Sequence, residues 1–100
     1  MVATALVLIN CEHGRVSETA QKLLDIPQVV EVYSVAGEYD LVAIIQVKEY
    51  EQMAEVVTDH VGQITGIART TTLMAFRSYS AHLLERQWGV GLESERQAAD

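Results

Sequence analysis

Apolar residues recur along this chain with two different periods. Residues 2–11 are almost continuously apolar and rich in β-branched side chains, which is typical of a buried strand. The period then changes, because residues 16–24 carry apolar side chains at helical intervals and polar side chains between them. Pro27 cannot continue that pattern, so we expect the first helix to end before it.

A predicted β-hairpin follows. Residues 29–36 and 41–48 are apolar and β-branched, and the four residues between them are Gly37, Glu38, Tyr39 and Asp40. Glycine permits positive φ and aspartate is a natural turn former, so this spacing predicts a tight connection. The tip also carries two carboxylates and a phenol. It is therefore either a simple turn or part of the wall of a binding site.

A second helical period begins after the hairpin. Its apolar positions lie on one side of a helix: Met53, Val57, Val61 and Ile64. Gly66 ends the helix, and residues 67–77 predict a fourth strand. The order β-α-β-β-α-β predicts an α+β fold, the ferredoxin-like sandwich, in which both helices cover one face of a four-stranded antiparallel sheet.

Both faces of the predicted sheet are apolar. The third strand places Leu41, Ala43 and Ile45 on one face, but Val42 and Ile44 on the other. Two helices cover only one face, and an exposed second apolar face would favour aggregation. We therefore predict an obligate oligomer, at minimum a dimer that packs face to face through the sheet.

The composition indicates one domain followed by an extension. The chain has 100 residues with 49% hydrophobic residues and one proline, enough for a single core. We assign residues 1–79 to the domain and residues 80–100 to a C-terminal extension, predicted as a short helix and a polar tail. Trp88 lies in this extension, where it packs either on its own subunit or on a neighbour.

Charge and motif content exclude several functions. A net charge of −7 with only seven basic residues argues against direct nucleic-acid binding. The N-terminus has no signal or membrane-spanning pattern, so we expect a cytoplasmic protein with no membrane partner. Cys11 and His13 have no second cluster at metal-binding spacing, and His60 is expected to be partly buried in the second helix. We expect no metal, no cofactor and no catalytic residue.

Three segments, residues 5–9, 26–41 and 66–72, together resemble the effector-binding (RAM) domain of the Lrp/AsnC family of feast/famine regulators. The resemblance covers about the first three-quarters of the chain. Family members usually carry an N-terminal helix-turn-helix, for which this chain has no room before its first strand. The resemblance therefore implies a stand-alone effector domain, regulatory and not enzymatic, that lacks the family's usual role in DNA binding.

The resemblance also implies partners. They are an amino acid or related metabolite bound between dimers, further copies of the chain in rings such as octamers or decamers, and full-length DNA-binding regulators that join mixed assemblies. Within the effector cleft it implies ligand contact by Gly37, Tyr39 and Asp40 at the hairpin tip.

The residues themselves indicate how such a ligand is held. Asp40 is a candidate acceptor for the ammonium group, because a carboxylate forms charge-assisted hydrogen bonds. Threonine hydroxyls of the fourth strand are candidate donors to the carboxylate, although β-branched residues favour strands whatever they bind. Thr70 and Thr72 share one face and Thr71 lies on the other, and we favour Thr70 and Thr72.

Three alternatives remain open. The same element order occurs in small dimeric α+β-barrel enzymes of the cofactor-independent monooxygenase type, which need a polar reactive cavity. An ACT-like regulatory domain is a second alternative, because the loop containing His13 and Gly14 resembles its effector loop. The third is a structural subunit with an empty cleft.

Overall fold

The computed structural model of the protein describes residues 2–79 and residue 81. Its elements are β1 (Ala3–Cys11), α1 (Val16–Leu24), β2 (Val29–Ser34), β3 (Leu41–Val47), α2 (Gln52–Glu55) and β4 (Ile67–Ala75). This order confirms the predicted α+β, ferredoxin-like fold. The predicted C-terminal helix, Trp88 and the polar tail lie outside the described residues. Within the described part of the chain, none of the helices has the length and apolar character needed to span a membrane.

The four strands form one antiparallel sheet in the order β2-β3-β1-β4. On one face the register aligns Val32, Ala43, Val7 and Thr72 across the four strands. Residues directly opposite each other in an antiparallel ladder share a face, so this row identifies the inner face of the sheet, against which the helices pack. We call the other side the open face.

The core lies between the inner face and both helical segments. Ala5, Val7 and Ile9 of β1 are completely buried, and α1 contributes Leu23. The remaining buried apolar residues belong to the same cluster: Ile26, Val29, Leu41, Ala43, Ile45, Val47, Met53, Val56 and Val61. Because both helical segments contribute to one cluster, neither covers the open face.

The second helical segment is irregular in a way that its sequence did not predict. After α2 it continues as a π-helical turn (Val56–His60) and a 3-10 turn (Val61–Gln63). In a π-helical turn the N–H of residue i+5 donates to the carbonyl of residue i, so residues five apart lie on the same side of the helix. Val56 and Val61 are therefore both in the core, whereas Val57 is only half-buried. His60 is exposed, contrary to our expectation.

Candidate functional site

Asp40 connects the hairpin tip to the end of β1. Its backbone N–H donates to the carbonyl of Ile9 at 2.9 Å, and its carboxylate Oδ2 accepts a hydrogen bond from the backbone N–H of Cys11 at 2.8 Å. The pairing of β1 with β4 shifts register between Asn10 and Cys11, which is where this bond forms. Asp40 therefore has a structural function. An ionised carboxylate has about four acceptor sites, so capacity for an ammonium group remains.

The rest of the tip lies against the open-face side of β1. Gly37 has φ of 121°, a value that favours glycine, and the Asn10 side-chain amide donates to the carbonyl of Glu38 at 2.6 Å. A polar groove of about 400 Å³, the tip groove, is lined by Asn10, Glu38, Tyr39, Arg69 and Thr71. It combines a carboxylate, a guanidinium, a phenol and a hydroxyl.

The predicted threonines lie elsewhere. Thr70 is opposite Ile9 and Thr72 is opposite Val7, so both belong to the inner face of β4, although both are exposed. Thr71, together with Arg69, is the strand residue that meets the tip. Strand alternation separates the threonines into two sets, but it does not indicate which set faces the hairpin.

Thr72 lines a second groove, between α2 and β4, which we call the α2–β4 groove. It exists because the helical segment leaves the inner face of β4 uncovered. Its volume is about 330 Å³ and its lining is mostly apolar: Tyr50, Glu51, Met53, Ala54, Val57, Thr58, Thr72 and Met74. Three hydroxyls, including the phenol of Tyr50, and one carboxylate accompany an aliphatic and thioether surface.

Polar chemistry elsewhere in the described residues is limited. Burial raises the pKa of the Cys11 thiol, and the nearby Asp40 carboxylate acts in the same direction. This thiol is therefore a weak nucleophile at neutral pH. Among residues 2–79, no group of three or more histidine, cysteine or acidic side chains lies close enough to hold a metal ion.

The sheet, its two helical segments and a groove on each face of β4 define a small ligand-binding domain of ferredoxin-like fold. Residues 4–84 match the family model of the Lrp/AsnC ligand binding domain, and the chain belongs to that family. The resemblance noted from residues 5–9, 26–41 and 66–72 is thereby confirmed.

Individual proteins agree with this assignment. The HTH-type transcriptional regulator FL11 of Pyrococcus furiosus is 38% identical over 73 residues, which are 73% of this chain and 48% of FL11. The chain thus spans about half the length of that regulator. The crystal structure of TTHA0845 from Thermus thermophilus is 45% identical with a TM-score of 0.73, covering 78% of this chain and 98% of that chain.

A third protein shares the fold at low identity. It is the feast or famine regulatory protein Rv3291c from M. tuberculosis, complexed with L-methionine. It is 20% identical with a TM-score of 0.67, and the match covers 78% of this chain and 52% of that one.

Two substitutions separate the structural function of Asp40 from its charge. Asp40→Ala removes the acceptor for the Cys11 N–H and is expected to lower the free energy of unfolding by about 1.5–3 kcal/mol, the range for hydrogen bonds to charged groups. Asp40→Asn keeps a carbonyl oxygen that accepts from that N–H. We expect it to lower the free energy of unfolding by less than half as much as Asp40→Ala does. Urea unfolding followed by circular dichroism measures both values, and equal losses would contradict the assigned bond.

Proposed function

We propose that this protein is a regulatory, non-enzymatic module that binds an amino acid at a boundary between subunits. Family membership supports this class, since the matched relatives are transcriptional regulators. Family membership also disfavours the monooxygenase-type alternative.

The observation that carries the proposal is the separation of the candidate residues by β4. In one copy, Tyr39 lies in the tip groove on the open-face side, whereas Thr70 and Thr72 lie on the inner face. The backbone of β4 stands between the two sets. One amino acid can contact both sets only when the tip of one copy approaches β4 of another, which makes a binding site dependent on assembly.

The α2–β4 groove indicates the class of amino acid. Met53, Val57 and Met74 offer an apolar surface that suits an aliphatic or thioether side chain, and methionine adapts its shape readily. The Thr72 hydroxyl is a donor for the ligand carboxylate, and Glu51 is an acceptor for its ammonium group. The L-methionine complex of a protein with the same fold supports this choice.

In this proposal the hairpin tip of a neighbouring copy completes the site. It contributes Gly37, Tyr39 and Asp40. Gly37 brings backbone N–H groups close to the ligand because it has no side chain, and Asp40 holds the tip in place through the Cys11 N–H. An acceptor site of the Asp40 carboxylate that is not used in this bond is a second candidate partner for the ammonium group.

Ligand binding at such a boundary changes the assembly. A ligand that contacts two copies binds the assembled state better than the free state, so it shifts the equilibrium toward assembly. Rings of dimers and mixed assemblies with DNA-binding relatives are the forms through which we propose that this shift regulates transcription. The chain's net charge of −7 favours an indirect effect over direct contact with DNA.

A calorimetric titration of the twenty L-amino acids against the full chain tests the proposal. We expect heat from apolar members such as L-methionine, and Thr72→Val is expected to weaken that binding about tenfold through loss of a hydrogen bond to a charged group. Thr65→Val, at an exposed threonine outside both grooves, is the matched control and is expected to bind like the parent. If no amino acid produces heat or changes the sedimentation of the protein, the proposal is wrong.

A further inference from the structure

A groove at the end of the sheet adjoins the α2–β4 groove and shares Tyr50, Glu51 and Met74 with it. We call it the end groove. Its volume is about 770 Å³, and it is lined by six apolar or aromatic residues and three charged ones: Val2, Ala3, Tyr50, Met74, Ala75, Phe76, Lys48, Glu49 and Glu51. Val2 is 59% exposed, Tyr50 67% and Phe76 96%. Large apolar side chains exposed together in one patch mark a surface that is covered by something else.

We propose that the end groove is the docking site of the chain's own C-terminal segment, residues 82–100, with Trp88 as its anchor. The inference does not depend on which ligand the effector site binds.

The path of the chain favours this occupant. β4 ends at Ala75, and both Ala75 and Phe76 line the groove, so the segment that follows starts beside it. Trp88 is twelve residues beyond Phe76. A chain rises about 1.5 Å per residue in a helix and about 3.3 Å when extended, so either form is long enough to fold back. A tethered segment also has a high effective concentration at a neighbouring surface.

The segment has the composition that such a groove requires. Ala81, Leu84 and Trp88 are spaced i, i+3 and i+7 in the sequence, a pattern typical of the apolar face of an amphipathic helix. Trp88 is the only tryptophan of the chain. A tryptophan typically buries about 150–250 Å² when it docks, which makes it the dominant apolar contributor in such a contact.

Most of the proposed docking segment lies beyond the residues that the family model matches. The match with TTHA0845 accounts for 98% of that protein but only 78% of this chain. The family match ends at residue 84, before Trp88. The docking proposed for Trp88 therefore concerns residues beyond the family match and does not follow from family membership alone.

Trp88 fluorescence in the full-length protein tests the docking directly. We expect acrylamide to quench the parent weakly, with emission at shorter wavelength than in urea. Val2→Glu places a charge in the groove and is expected to raise the ratio of undocked to docked segment about tenfold, or about 1.4 kcal/mol. The matched control is Val30→Glu, at a valine of β2 that is 50% exposed and lies outside the groove. Tyr50→Ala is a second groove variant, and far-UV circular dichroism verifies that each variant is folded.

The possible outcomes separate the occupants. Stronger quenching in folded Val2→Glu and Tyr50→Ala, with Val30→Glu unchanged, supports the proposal. If acrylamide quenches Trp88 as strongly in the folded parent as in urea, the proposal is overturned. The proposal is also overturned if the protection of Trp88 from quenching disappears on dilution as the oligomer dissociates. The groove or the tryptophan would then be covered by a second copy and not by the segment of the same chain.

Discussion

Gly66→Ala is expected to destabilise the protein by about 3 kcal/mol, since a strained backbone and an overpacked core each contribute roughly 1–3 kcal/mol. Gly66 is buried with φ of 108°, and a Cβ there would lie 2.7 Å from Thr19 Oγ1. Thr19 is itself completely buried and cannot move aside freely. For a domain of this size the expected decrease in Tm is roughly 10–25 °C, measured at fixed protein concentration.

Gly37→Ala is the matched control for this prediction. Its φ of 121° is also unfavourable for alanine, but a Cβ at Gly37 meets nothing within 4 Å. We expect a loss of about 1 kcal/mol from backbone strain alone. Adding Thr19→Ala to Gly66→Ala removes the overlapping oxygen and should recover part of the loss in a double-mutant cycle. A Gly66→Ala variant as stable as Gly37→Ala would contradict the packing described here.

Leu6→Glu is expected to have the largest effect on assembly. On the open face Leu6 pairs with Ile44 of β3 and with Leu73 of β4, and Leu8 pairs with Val42. Leu73 is 48% exposed in the single copy, and Tyr33 at the sheet edge is 49% exposed. A carboxylate at the centre of this patch would be buried without a partner in a face-to-face dimer, which we expect to weaken association by about 100-fold, or about 2.8 kcal/mol.

Analytical ultracentrifugation measures this effect. The parent is expected to sediment as an oligomer and Leu6→Glu as a smaller species, or as unfolded chain if the single copy is unstable. Leu24→Glu introduces the same charge on α1, at a leucine that is 55% exposed away from the sheet, and should leave assembly unchanged. If Leu6→Glu is folded and sediments like the parent, dimerisation through the open face is ruled out.

The local pattern of the sequence predicted the elements well. β1, β3 and α1 follow their apolar periods to within one residue. The second helix was harder, because Met53, Val57 and Val61 fit a regular α-helix in the sequence. The π-helical turn Val56–His60 shifts that pattern by one residue, and only packing against the sheet selects it.

The geometry around the hairpin tip was predicted only in part. The sequence placed Gly37 and Asp40 in the turn, because turn chemistry is local. The hydrogen bond from the Cys11 N–H to Asp40 joins residues 29 positions apart, so no local pattern predicts it. For the same reason the sequence did not indicate that Arg69 and Thr71, and not Thr70 and Thr72, lie beside the tip.

The sequence by itself determined the order of elements, the position of the hairpin tip and the presence of apolar residues on both faces of the sheet. Each of these depends on period and turn chemistry, which act over a few neighbouring residues. The tertiary structure alone decided which face of β4 meets the tip, where the two grooves beside β4 lie and how Gly66 packs against Thr19. These depend on strand register and on contacts between distant segments, which are selected only when the whole sheet and its helices pack together.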